Sequence, residues 1–195
     1  MMKILFNDHV SLKLSFTIVV CIALLWCSVY YLNEWLFSNF IFVQNAINWV
    51  FLPAAIRLFA VLLAGWVGVF GLFLGSIVTS TWVWGEDQVV TQILVLATIS
   101  SMAPMLGLLV CTRVLKINNN FQGLSALNLL WLCATIAFLS VLAHNFAYYY
   151  FGRTVNILGG IGPMFVGDFL GMLIVLYVVK LTLPKKAKLH NQAFS

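Results

Sequence analysis

Long apolar runs, each near the length that crosses a bilayer, are the feature that most constrains this chain. Only 8% of the 195 residues are charged, whereas soluble domains carry about 25%. A helix needs about 20 mostly apolar residues to cross the hydrocarbon core, so the chain has room for about six such helices and for no soluble catalytic domain. We therefore predict one all-α domain over residues 1–195, a polytopic transmembrane helical bundle with spans at about 12–32, 49–65, 66–84, 89–114, 124–150 and 162–183.

Short connections separate the predicted spans. Residues 33–48 mix aromatic and amide side chains, which favours a short amphipathic segment at the membrane interface. Spans two and three meet at Gly65 without a polar loop, so a tight helical hairpin is predicted there. A single fused span would instead need about 35 continuous residues across the bilayer, well above the usual range.

Basic residues set the predicted orientation. Lys and Arg are enriched in the cytoplasmic loops of membrane proteins, and placing both termini in the cytoplasm leaves only Arg153 outside. Topology thereby explains the net charge of +5, so we predict contact with the lipid bilayer and no nucleic-acid partner. The basic residues placed inside are Lys3, Lys13, Arg113, Lys116, Lys180, Lys185, Lys186 and Lys188.

Two oppositely charged side chains lie inside predicted spans. Arg57 and Asp168 are each about eight residues from the outer ends of their spans, roughly 12 Å deep. A charge in hydrocarbon costs several kcal/mol, and opposite charges at equal depth remove much of that cost for each other, so we predict that they pair. Two interpretations stay open: the pair serves folding alone, or Arg57 clamps a carboxylate or phosphate of a small polar ligand in an outward-facing cavity.

Other polar residues lie within the apolar spans. His144 is about six residues from the outer end of its predicted helix and is followed by Asn145. Both are secondary candidates for the ligand site, with hydrogen-bonded packing as the alternative. We expect Ser100 and Ser101 to face the bundle and to bond to backbone carbonyls freed at Pro104.

Two glycine pairs with four-residue spacing predict close packing. Gly71 and Gly75 share one face of span three, and Gly167 and Gly171 share one face of span six. Because glycine lacks a side chain, neighbouring helices can approach these faces closely. Asp168 lies beside the second pair.

The sequence lacks the groups that catalysis or cofactor binding requires. It contains no recognisable nucleophile–base pair, carboxylate dyad or cluster of His, Asp and Glu ligands. Cys21, Cys27, Cys111 and Cys133 form no C-x-x-C motif. We predict that the chain is not an enzyme and has no cofactor and no metal site.

Two segments resemble a known family. Residues 51–75 read FLPAAIRLFAVLLAGWVGVFGLFLG, and residues 167–173 read GDFLGML. Both are similar to elements of the MASE1 family of bacterial membrane-embedded sensory domains. The resemblance implies signal transduction in the bacterial inner membrane. Because domains of that family usually have more helices and precede a histidine kinase or diguanylate cyclase, we expect a stand-alone, shortened relative that signals through a membrane or cytoplasmic protein partner.

Three functions remain open on this basis. The first is a sensory or ligand-binding membrane module with Arg57, Asp168 and His144 around a polar pocket. The second is the substrate-binding component of a small-molecule transporter, and the third is a structural subunit of a larger membrane complex. Solute uptake would separate the second from the first, because a sensor moves no solute across the membrane.

Overall fold

The residues that the structure describes fold into five helices and one small two-stranded sheet. The computed structural model describes residues 11–37, 42–44, 47–84, 89–114, 125–154 and 156–182. By total length and composition, each of the five helices in these ranges, with α2 counted as one, is long and apolar enough to cross a membrane, as expected of a multi-pass membrane protein. The elements are α1 (Leu12–Phe37), β1 (Phe42–Gln44), β2 (Ile47–Asn48), α2 (Pro53–Trp84), α3 (Val90–Val114), α4 (Ala126–Tyr150) and α5 (Ile157–Thr182).

The predicted count of about six helices is not confirmed, because spans two and three form one element, α2. Gly65, within α2, has non-helical φ and ψ values of 54° and −127°, which glycine adopts far more readily than other residues. Gly68 lies so close to Ala60 that a Cβ on Gly68 would overlap the Ala60 carbonyl oxygen. On a straight helix these two residues, which are eight positions apart, would be separated by about 12 Å. The chain therefore reverses at Gly65, as predicted. We call residues 53–64 the first arm of α2 and residues 66–84 its second arm.

The segment between α1 and α2 differs from the predicted amphipathic piece. Helix α1 continues to Phe37 instead of ending near Leu32, and the short strands β1 and β2 then pair antiparallel, with Phe42 opposite Asn48. Residues 49–52 lead into α2 without helical structure. Their backbone is held from two sides: Phe51 N–H donates to the carbonyl of Gly167 at 3.0 Å, and Leu52 N–H donates to Asn33 Oδ1 at 2.8 Å.

Helix directions follow from the contacts between elements. The second arm of α2 runs parallel to α1, since Gly71 meets Ile22 and Gly75 meets Trp26. Helices α3 and α4 are antiparallel, as Gly107 lies against Ile136 near one end and Ser100 bonds to His144 near the other. Together these directions place the start of α1 and the end of α5 at the same end of the bundle. Which side of the membrane that end faces stays a prediction.

Buried side chains differ between the two ends of the bundle. The end that contains Gly65 is called the reversal end, and the opposite end, where α1 finishes and α3 starts, is called the polar end. Toward the reversal end the core includes Leu58, Val61, Leu72, Met105, Leu108, Leu132, Ile136 and Met172. From the middle of the bundle to the polar end the buried polar residues are Asn33, Asn48, Arg57, Ser76, Thr79, Ser100, Ser101, Ser140, His144, Asn145 and Asp168.

The starts of α4 and α5 differ by a few residues from the predicted span boundaries. Helix α4 begins at Ala126, with the Ser125 side chain accepting a hydrogen bond from Asn128 N–H, an ordinary N-cap arrangement. Helix α5 begins at Ile157, earlier than the predicted residue 162, and includes Pro163. Residues 85–88 and 116–123 and the basic residues Lys185, Lys186 and Lys188 lie outside the described residues.

Candidate functional site

Arg57 and Asp168 form an ion pair inside the bundle. Arg57 Nη1 lies 3.1 Å from Asp168 Oδ2, and the side chains are only 3% and 2% exposed. Arg57 is on the first arm of α2 and Asp168 is near the middle of α5. The contact predicted from the sequence is therefore present. It joins two segments that are 111 residues apart in the chain.

Two serine hydroxyls also accept hydrogen bonds from the guanidinium. Arg57 Nη1 also donates to Ser140 Oγ on α4 at 3.0 Å, and Nη2 donates to Ser100 Oγ on α3 at a long 3.5 Å. The arginine thus bonds to side chains on three other helices. Charge-assisted bonds of this kind are stronger than bonds between neutral groups, so Arg57 fixes the positions of α3, α4 and α5 relative to α2.

His144 is held between the same two serines. Its Nδ1 lies 2.8 Å from the carbonyl oxygen of Ser140, which can only accept, so Nδ1 carries the hydrogen and donates. Its Nε2 lies 3.1 Å from Ser100 Oγ and, in the neutral ring, accepts the serine hydroxyl hydrogen. These contacts place a hydrogen on Nδ1, and they fit the neutral ring because the Ser100 hydroxyl can donate to Nε2.

Asn145 lies outside this hydrogen-bonded cluster. Its amide nitrogen donates to the Val141 carbonyl at 2.9 Å and contacts Met164 Sδ at 3.5 Å. Its amide oxygen occupies the space that a side chain on Gly160 would need. These contacts join α4 to the start of α5, so Asn145 packs two helices together beside the cluster.

Aromatic rings cover the other side of the guanidinium. Arg57 Cζ lies 5.0 Å from the Trp26 ring centroid and 5.3 Å from the Phe51 ring centroid, within the range of cation–π attraction. Trp26 is itself oriented by a 3.1 Å hydrogen bond from Nε1 to Thr79 Oγ1 on the second arm of α2. Helix α1 and the non-helical segment before α2 thereby join the site.

A cavity of about 70 Å³ adjoins this cluster. All five helices, strand β2 and the segment before α2 contribute to its walls. Its volume accommodates a few water molecules or a very small ligand. The lining residues are Trp26, Tyr30, Ile47, Asn48, Phe51, Arg57, Ser76, Thr79, Ser80, Leu96, Ser100, His144, Tyr148, Met164 and Asp168.

Several polar atoms around the cavity lack a protein partner. Among the described residues, four buried side-chain nitrogen or oxygen atoms have no hydrogen bond: Asn33 Nδ2, Asn48 Oδ1, Arg57 Nε and Ser76 Oγ. Three of these residues, Asn48, Arg57 and Ser76, line the cavity. An unpaired buried polar group costs about 1–3 kcal/mol, so this concentration of unpaired groups at one place is unfavourable for folding alone.

The two glycine pairs have different neighbours. Gly71 and Gly75 lie against Ile22 and Trp26 of α1, a helix–helix contact as predicted. In contrast, Cβ atoms on Gly167 and Gly171 would overlap the carbonyl oxygens of Asn48 and Phe51. The expected helix partner for the second pair is therefore wrong, because an extended backbone segment lies there instead.

Sequence reasoning missed several residues of the site. Ser100 was expected to bond to a backbone carbonyl near Pro104, but it bonds to His144 and Arg57; Ser101 does bond to a backbone carbonyl, that of Thr98. Ser140 was missed, although it lies four residues before His144 and hence on the same helix face. Trp26, Phe51 and Ser76 carry no signal in the sequence, since aromatic and small polar residues are common in membrane helices.

Neither a search for metal-binding groups nor comparison with known proteins assigns a function to the site. Within the parts of the chain that the structure describes, no group of three or more His, Cys, Asp or Glu side chains could hold a metal ion. No protein-family model, curated protein or solved structure matches the chain.

Proposed function

We propose that this chain is a membrane-embedded sensory module of the MASE1-like type, located in the bacterial inner membrane. A small polar ligand enters the cavity beside Arg57 and Asp168, and a partner protein reads the resulting change in helix packing. The observation that carries this proposal is the cavity itself, because all five helices contribute to its walls. Occupancy of such a site acts on the packing of the whole bundle.

The physical requirement for sensing is a ligand that binds two packings with different affinity. Arg57 bonds to side chains on α3, α4 and α5, so a ligand that competes for any of those bonds changes the balance between helices. The unpaired atoms of Asn48, Arg57 and Ser76 favour a second arrangement in which they are satisfied. These features support a switch more than a purely structural ion pair, which would need no cavity.

A variant that alters the cavity tests this proposal without knowledge of the ligand. Ser76→Val removes an unpaired hydroxyl and adds bulk at the cavity wall. Thr81→Val makes a related change on the exposed side of the same arm, where Thr81 bonds only to the Val78 carbonyl. Proteins that cross-link to the full chain in native membranes would be identified, and the catalytic activity of the co-purified partner would be measured with each variant in nanodiscs.

A sensory module predicts that Ser76→Val changes the partner's activity while Thr81→Val does not. A partner with ATPase activity, together with solute uptake into proteoliposomes, would favour the transporter component instead. A stoichiometric complex whose activity ignores Ser76→Val, although the variant folds and assembles normally, would contradict sensing and favour the structural subunit.

A further inference from the structure

We infer that the cavity beside Arg57 takes a small neutral molecule with both a hydrogen-bond donor and an acceptor, such as a short amide, and does not take an anion. This inference deepens the proposed function and rests on it. The ligand class follows from three properties of the site: its volume, its charge balance and the chemistry of its unpaired atoms.

Volume limits the ligand to a few non-hydrogen atoms. A dry cavity of about 150 Å³ in a well-studied protein binds benzene, and the cavity here is about 70 Å³. Binding sites for drug-sized molecules are several times larger. Nucleotides, sugars and aromatic acids are therefore too large for this arrangement of the helices.

Charge balance favours a neutral ligand. The formal charges of Arg57 and Asp168 cancel at a contact of 3.1 Å, and the contacts of His144 fit its neutral ring. An added anion would leave a net negative charge inside a membrane bundle, which is costly. Arg57 is also already bonded to the carboxylate that an anion would have to displace. The anion clamp, one of the two interpretations that the sequence left open, thus fits the geometry poorly.

The unpaired atoms need a ligand that both accepts and donates. Asn48 Nδ2 donates to Glu34 Oε1 at 3.0 Å, so the free atom of this amide is the acceptor Oδ1. Arg57 Nε is a donor only, and Ser76 Oγ can do both. An inorganic anion offers nothing to Asn48 Oδ1, whereas a primary amide presents one carbonyl oxygen and two N–H groups.

Acetamide and acetate are a matched pair of probes for this inference. They have nearly the same shape and the same number of non-hydrogen atoms, but they differ in charge and in donor capacity. Each would be added to the full chain in nanodiscs of deuterated lipid, and saturation-transfer NMR would report contact of its methyl group with the protein. Empty nanodiscs correct for partition into lipid, and benzamide tests the size limit.

The protein variants form a second matched pair. Ser76→Ala removes the unpaired hydroxyl from the cavity wall. Ser101→Ala makes the same change at an equally buried position that does not line the cavity. Loss of one hydrogen bond weakens binding by about three- to tenfold, so the acetamide signal should fall by that factor in Ser76→Ala and persist in Ser101→Ala.

The expected result is an acetamide signal above that of empty nanodiscs, no comparable acetate signal at pH 7.5, and no competition by benzamide. Stronger binding of acetate would overturn the inferred ligand class but leave the proposed sensory site standing. An acetamide signal no greater than that of empty nanodiscs, or one that Ser76→Ala leaves unchanged, would also overturn it. The measurement of partner activity with Ser76→Val then tests the proposed function independently of the ligand class.

Discussion

The reversal end and the polar end of this bundle are built on different principles. The reversal end is filled by aliphatic side chains such as Leu72, Leu132 and Ile136, each at most 1% exposed. The polar end buries the ion pair of Arg57 and Asp168 together with hydroxyl, amide and imidazole groups. Aliphatic packing accounts for the reversal end without any buried charge, so the buried charges at the polar end call for a separate explanation. The costly groups at the polar end are therefore the place to look for function.

Removing one charge should have the largest effect. Arg57→Ala or Asp168→Asn leaves a buried group without its partner, which costs about 3–5 kcal/mol. The matched control is Met172→Leu, a volume-conserving change one helical turn from Asp168, for which less than about 1.5 kcal/mol is expected. Unfolding in mixed micelles with increasing SDS measures each free energy.

A charge swap sharpens that result. Arg57→Asp combined with Asp168→Arg restores opposite charges, so it should recover part of the stability lost by either single variant. If Arg57→Ala and Asp168→Asn both unfold like the wild type, the polar end does not depend on its ion pair and the contrast between the two ends fails.

Glycine substitutions compare backbone contacts at the two ends. A Cβ would overlap a carbonyl oxygen at Gly68 near the reversal and at Gly167 in the polar half, whereas nothing lies within 4 Å of one at Gly162. We expect Gly68→Ala and Gly167→Ala each to cost about 1–3 kcal/mol, and Gly162→Ala to be neutral or slightly stabilising. The same SDS titration measures the unfolding free energy of all three variants. Equal stability of Gly68→Ala and Gly162→Ala would argue against close contact between the arms of α2.

Loss of one hydroxyl should have a smaller effect. Ser100→Ala removes the hydrogen bonds to His144 and Arg57, with an expected cost of about 1–2 kcal/mol. Ser101→Ala removes only a bond to a carbonyl of its own helix and should cost less. A larger loss in Ser101→Ala would show that general helix packing, and not the Arg57 cluster, sets the stability of α3.

Changes on the outer surface should have the smallest effect. Phe138 on α4 is 50% exposed and faces away from both the cluster and the apolar core. Phe138→Leu is expected to change the unfolding free energy by no more than about 0.5 kcal/mol. A substantial loss would instead indicate that this face packs against another protein chain in the membrane.

Much of the fold could be predicted from the sequence because length and apolarity constrain membrane helices strongly. The reversal at Gly65 was also predictable, since a fused span would be too long for the bilayer and glycine permits the turn. The strands β1 and β2 could not be predicted, because the sequence of residues 33–48 has no clear periodicity. The non-helical backbone at residues 49–52 depends on Gly167 and Asn33, which are distant in sequence.

The site was predictable only where its residues are unusual in membrane helices. Arg57, Asp168 and His144 stand out because ionisable groups in hydrocarbon are rare. Ser100 and Ser140 do not stand out in the sequence, because a serine hydroxyl can form its hydrogen bond with a carbonyl of its own helix. The second glycine pair signalled a close approach without identifying the neighbour, since a bare helix face accepts an extended backbone as readily as another helix.

The turn at Gly65 also bears on how the nascent chain enters the bilayer. The first arm has about 12 residues, roughly 18 Å of helix, which is too short to cross a hydrocarbon layer about 30 Å thick. We therefore expect both arms to insert together as a loop. The serine partners of Arg57 are made 43 and 83 residues later and its counter-charge 111 residues later, so the rings of Trp26 and Phe51 are the first of its contacts in the folded protein to be synthesised.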